Sequence, residues 1–198
     1  MDDNKIRLFS FQPIEAVEII ENTGCFQCNI ELSSFYEEED NGLLPEFEVA
    51  YQFIIDKMNS LGIEKPDNVD YPIWAWYKQY DKNSKPDLRK MMNNEYDSSY
   101  VIIELLIDKD SVVLSDFSDY HFILNNGMVL TNEEWLAYEK KHENDYPDYE
   151  WLTFFTESEK KDSWHKIFNI EDIDFVQACF WEIKKEDIVK IHKINRTF

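Results

Sequence analysis

Two apolar runs, Tyr100 to Ile107 and Val112 to Leu114, are joined by the tight turn Asp108-Lys109-Asp110, and a second pair, Phe175 to Ile183 and Ile188 to Ile194, is separated only by Lys184 to Asp187. Parallel neighbours in a sheet need a crossover of about a dozen residues or more, so links this short predict antiparallel pairing. Further strands are expected near Ile6 to Phe11, where apolar and other residues alternate, and at the aromatic run Tyr71-Pro72-Ile73-Trp74-Ala75-Trp76-Tyr77. The fold class that follows is α+β: a mixed or mostly antiparallel sheet of strands near 6, 73, 101, 112, 176 and 189, with helices packed around it.

The helices carry their own punctuation. Phe47, Ala50, Tyr51, Ile54, Ile55 and Met58 form an apolar stripe from Glu46 to Leu61, closed by Gly62. A shorter helix is expected after the first strand, with Pro13 in its first turn, Ile14, Val17 and Ile20 on one side and Gly24 past its end. Residues 25 to 45 read as an irregular excursion. Asp116 or Ser118 can cap a helix through Tyr120, His121 and Leu124, and Thr131-Asn132-Glu133-Glu134 has the form of a capping box ahead of Trp135, Leu136 and Tyr138. A further short helix is expected at 163 to 168. Trp74, Trp76 and Trp181 are expected in one aromatic cluster against the long helix.

At 198 residues, with no internal repeat or linker, the chain reads as a single domain, 1 to 198. No apolar run approaches the roughly 18 residues of a membrane span, and the N-terminus lacks the pattern of a secretory signal. Three cysteines, Cys25, Cys28 and Cys179, do not form a disulfide framework, which fits a reducing, cytoplasmic setting. Cys25 and Cys28 make one C-x-x-C without a second ligand pair, so no metal is expected. The net charge of −21 repels phosphate backbones and argues against nucleic-acid binding. It suits either a solubilising surface or an acidic face that docks a basic partner. Residues 184 to 198 break the pattern with Lys184, Lys185, Lys190, Lys193 and Arg196 against Glu186 and Asp187.

Several groups could carry chemistry. Strand alternation puts Trp74 and Trp76 on one face, with Ile73, Ala75 and Tyr77 on the other. Two tryptophans on one face can line a slot for a planar ring, or can be core. Lys85, Asp87 and Arg89 follow in a loop, where the planar fork of Arg89 suits a phosphate or carboxylate and where salt bridging within the loop is the plainer reading. Asp116, Asp119 and His121 crowd a strand-to-helix junction, and His121 there is either a general base or donor, or a structural histidine. Markers of triad hydrolases, phosphate-binding loops and kinases are not found.

The opening strand and helix to Gly24, Pro72-Ile73-Trp74-Ala75-Trp76-Tyr77, Lys85-Pro86-Asp87-Leu88-Arg89, Leu114-Ser115-Asp116-Phe117 with His121 and Asn125, and Gln177-Ala178 with Trp181-Glu182 together resemble the bacterial and phage domain of unknown function 3841. In architecture the chain is also similar to ADP-ribosyltransferase-like domains, which begin with a strand and helix, carry an aromatic second strand, and end with a strand bearing Gln or Glu. That resemblance implies NAD as cofactor, with Ser10 or Arg7, then Trp76 or Tyr77, then Gln177 or Glu182 in the three family positions. The first strand has no His, Cys179 stands where an acid would follow Gln177-Ala178, and Glu182 falls on the opposite face from Gln177. Cleaving the nicotinamide bond develops oxocarbenium charge that a carboxylate stabilises. Asp116, Asp119 or Glu104 would have to supply it.

Two function classes follow. One is a nucleotide-binding enzyme, with Trp74, Trp76, Tyr77, Arg89 and Ser10 around NAD, and His121, Gln177 and Asp116 at the reacting end. The other is a non-catalytic antitoxin, immunity factor or phage-encoded inhibitor, gripping a basic protein through Glu37 to Asp40 and Glu133 to Glu150.

Overall fold

The computed structural model describes residues 4–29, 36–37, 42–43, 45–80, 82–87, 99–142 and 155–194. The strands are β1 (Lys5–Pro13), β2 (Cys25–Gln27), β3 (Tyr36–Glu37), β4 (Gly42–Leu43), β5 (Ile73–Lys78), β6 (Tyr100–Asp108), β7 (Val113–Asp116), β8 (Val176–Phe180), β9 (Glu182–Lys184) and β10 (Ile188–Lys193). The α-helices are α1 (Ile14–Thr23), α2 (Pro45–Ser60), α3 (Phe117–Leu124), α4 (Asn132–His142) and α5 (Glu157–Trp164).

Six strands form an antiparallel sheet in the order β10-β6-β1-β5-β8-β7, while β2-β9 and β3-β4 form separate ribbons. The fold is therefore α+β with an antiparallel main sheet, as expected. The reason differs from the expected hairpins. β7 pairs with β8 at the edge opposite β10, not with β6, and β10 pairs with β6, not with β8. In an all-antiparallel sheet, strands an even number of places apart run the same way, and this holds for β6 and β7 and for β8 and β10. The 3-10 turn Lys109–Ser111 links β6 to β7, while β8 reaches β10 through β9, which pairs with β2 outside the main sheet, and the 3-10 turn Lys185–Asp187; neither link makes a hairpin. The Asp108 carboxylate accepts from the Asp110 amide and fixes the first of these turns.

β1 and β6 pair along the whole of β1, from Lys5↔Asp108 to Pro13↔Tyr100, whereas β1 and β5 share one registered pair, Phe9↔Trp76. The sheet thus has a narrow seam. Ser10, fully buried, donates its hydroxyl to the Trp74 carbonyl across that seam at 2.8 Å and accepts from the Gln12 side chain at 2.8 Å. A buried carbonyl that would lack a ladder partner is satisfied in this way.

α1 covers one face through Ala16 and Ile20, packed in a cluster with Leu8, Ala75, Ile103, Leu105 and Ala178. Pro13 is the N-cap rather than a first-turn residue, Ile14 is 37% exposed, and Gly24 closes the helix at φ 89. α2 covers part of the other face through Ala50, Ile54, Ile55 and Met58, which cluster with Val113, Tyr120, Ile123, Trp164, Ile167, Cys179 and Trp181. Its chain leaves through Gly62 at φ 73, a left-handed position where glycine avoids the Cβ clash.

Trp181 meets the long helix as expected, and Trp74 packs against the same cluster. Trp76 does not. It belongs to a third cluster, with Phe9, Phe11, Ile102 and Ile194, because its strand neighbour across the seam is Phe9; Trp74 touches both clusters. Within the expected excursion at 25 to 45, β2 pairs with β9, and α5 begins at Glu157, ahead of the expected 163.

Candidate functional site

Directly opposed residues in neighbouring strands share a face. The registers Lys190↔Glu104, Phe9↔Glu104, Phe9↔Trp76, Trp76↔Gln177 and Ser115↔Gln177 therefore draw one row across all six strands on one face: Lys190, Glu104, Phe9, Trp76, Gln177, Ser115. Its inner end is closed. The Trp74 indole donates to Gln177 Oε1 at 2.6 Å, and Gln177 Nε2 donates to the Ser115 hydroxyl at 3.0 Å. Gln177 is 1% exposed, so its amide is used within the core.

Aromatic rings extend this end of the row. Trp74 and Trp76 meet edge to face at 4.8 Å, and Phe117, the first residue of α3, lies 4.6 Å from Trp76. Asp116 sits at the N-cap of α3, where its carboxylate accepts from the Ser118 and Asp119 amides at 2.7 and 3.1 Å. His121 is exposed; its Nδ1 lies 2.8 Å from the Phe117 carbonyl, and its ring 4.6 Å from that of Phe117. A carbonyl only accepts, so Nδ1 carries the hydrogen and Nε2 is left for another partner. Burial, then the Asp116 carboxylate, raise the Asp119 pKa. Trp76 Nε1 is buried without a hydrogen-bond partner, as is Trp181 Nε1.

The outer end of the row is charged and is accessible through Arg7 and Lys190, with Glu104 mostly buried between them. Glu104 takes an ion pair from Arg7 Nη1 at 3.3 Å on one oxygen and contacts His192 Nε2 at 2.9 Å on the other. The Arg7 side chain stays 38% exposed, with Glu104 at 12% and His192 at 17%. One carboxylate thus holds a guanidinium and an imidazole in fixed orientation, and Arg7 retains donors beyond the one it gives Glu104.

A hollow of about 150 Å³ lies at the end of β5, lined by Gln79, Tyr80, Lys82, Ser84, Lys85 and Asp87. Asn83 staples this loop to the sheet, donating to the Tyr77 carbonyl at 2.6 Å and to the Arg7 carbonyl at 2.9 Å.

The structure thus brings Trp74, Trp76, Gln177, Asp116 and His121 into one neighbourhood, with Ser10 bonded beneath Trp74. Tyr77 is not part of it, because it packs with the α1 cluster on the opposite face. Arg89 lies outside the described residues. Cys179, standing where an acid was expected, is buried, and burial pushes its thiol up to about 12, so it offers no negative charge there. Burial likewise raises Cys28 to about 11, and among the described residues no cluster of His, Cys, Asp and Glu is arranged to hold a metal. His192 and Lys82 were not singled out from the sequence. Nothing in their local context marks them, since their roles depend on which strands pair.

A family model described as "Domain of unknown function (DUF3841)" matches residues 7–189. The chain belongs to the DUF3841 family. Within this DUF3841 chain the matched stretch contains Arg7, Glu104, Trp76 and Gln177, while His192 and Lys190 lie beyond its end. No curated protein and no solved structure matched the chain.

Proposed function

We propose that this protein binds a nucleotide, NAD by preference, on the face that carries the row from Lys190 to Ser115, and acts there as an ADP-ribosyltransferase-like enzyme of the cytoplasm. The observation that supports this reading is Glu104. It shares a row and a face with Trp76 and Gln177, and so supplies a carboxylate that the Gln177 strand itself lacks. A carboxylate so placed can stabilise the positive charge that develops on the ribose as the nicotinamide bond breaks. Arg7 would hold a phosphate, and His192 would keep Glu104 oriented. Trp76 and Gln177, both buried, form the floor rather than direct contacts.

The test is thermal. A ligand that binds only the folded state at about 100 times its Kd adds roughly 2.7 kcal/mol of stability. NAD and ADP-ribose are expected to raise the melting temperature more than nicotinamide alone. If NAD, ADP-ribose, ATP and nicotinamide all leave it unchanged at millimolar concentration, the nucleotide reading fails. Salt-sensitive capture of a basic protein would then favour the acidic interaction protein instead.

A further inference from the structure

We infer that the hollow at the end of β5 is a phosphoryl-binding subsite, which takes the diphosphate portion of a nucleotide or a free diphosphate. Among the described residues, two lysines and one hydroxyl line it, Lys82, Lys85 and Ser84, with one carboxylate, Asp87. Both lysines are exposed, so their charge is available to a ligand in the hollow. Its volume, about 150 Å³, is several times that of a water molecule, enough for one or two phosphoryl groups.

The hollow is built rather than incidental. A β-bridge between Gln79 and Lys82 closes the turn, with Tyr80 held at φ 51. Tyrosine in that left-handed region carries strain, which persists only where the surroundings impose it. The surroundings here are the Asn83 staple to Tyr77 and Arg7 and the Tyr80 ring packed 4.8 Å from Phe175, itself 6.4 Å from Trp76. The backbone that carries both lysines is thereby tied to the strand that carries Arg7.

The inference rests on the nucleotide reading only for the rest of the ligand, so diphosphate alone is the first probe. Calorimetric titration of the full chain with inorganic diphosphate should show saturable binding. The double substitution Lys82→Ala with Lys85→Ala should weaken it at least tenfold without altering the melting temperature of the free protein. Lys140→Ala with Lys141→Ala removes the same charge from exposed positions on α4 and should change the affinity less than twofold. No saturable binding, or equal weakening by both pairs, would overturn the inference. Titration with NAD separates the two ideas. If diphosphate binds through Lys82 and Lys85 but NAD does not bind, the subsite stands and the nucleotide reading falls. If NAD binds and is indifferent to the lysine pair, the nucleotide reading stands and the subsite falls.

Discussion

Among the described residues, Gln177 bonds both the partly buried Trp74 indole and the buried Ser115 hydroxyl. A buried polar group left without its partner costs about 1–3 kcal/mol. Gln177→Ala is therefore expected to lower unfolding stability by about 2–5 kcal/mol in urea denaturation, a loss a surface ligand contact would not show. Asp119 gives a second test. Its folded pKa is raised, first by burial and then by Asp116, with Lys166 opposing. A raised carboxyl favours the protonated form in the fold, so the contribution is fully present below the ordinary aspartate range and lost as pH rises through the folded value. Asp119→Asn should accordingly raise the melting temperature at neutral pH relative to the native protein. The gain should vanish in acid, and a gain that does not depend on pH would contradict this account.

At the scale of elements, local signals were reliable where one residue sets one piece of geometry. The Asp116 cap, the box in which Thr131 and Glu134 each bond the other's amide, and the glycines after α1 and α2 all stand as read. A second capping box, Thr156 with Glu159, starts α5 and is written just as plainly in the sequence, but the acidic, aromatic stretch before it masked the start. Trp164 ends that helix fully buried, its indole bonded to the Gly127 carbonyl at 2.8 Å. Thr156→Ala should cost about 1 kcal/mol, and Trp164→Ala about 3–5 kcal/mol, measured by chemical denaturation. Similar losses from the two would show that α5 does not anchor through its tryptophan.

At the scale of the whole molecule, the sheet class was legible but its order was not. Short links argue against a crossover between neighbours, yet they do not say whether the chain reverses or steps to the other half of the sheet, because apolar strands such as β6, β7 and β8 can each fit beside several others. The same gap hid the charged end of the site. Arg7, Glu104 and His192 are spread over most of the chain, and only the β10-β6-β1 order joins them. The tryptophans and Gln177 were recognisable as a group, while the burial of Trp76 and Gln177 required the packing. On the proposed reading, the ligand sits at the end of the row that Arg7 leaves open. Calorimetric titration with NAD tests it most directly, comparing the native chain with Arg7→Ala and Glu104→Gln. Arg7 is partly exposed and Gln keeps the size of the buried Glu104, so both variants should remain folded, and their melting temperatures check this before titration. The native chain is expected to bind NAD, and Arg7→Ala to weaken binding at least tenfold. Binding that is absent, or that is unchanged in both variants, would contradict this reading.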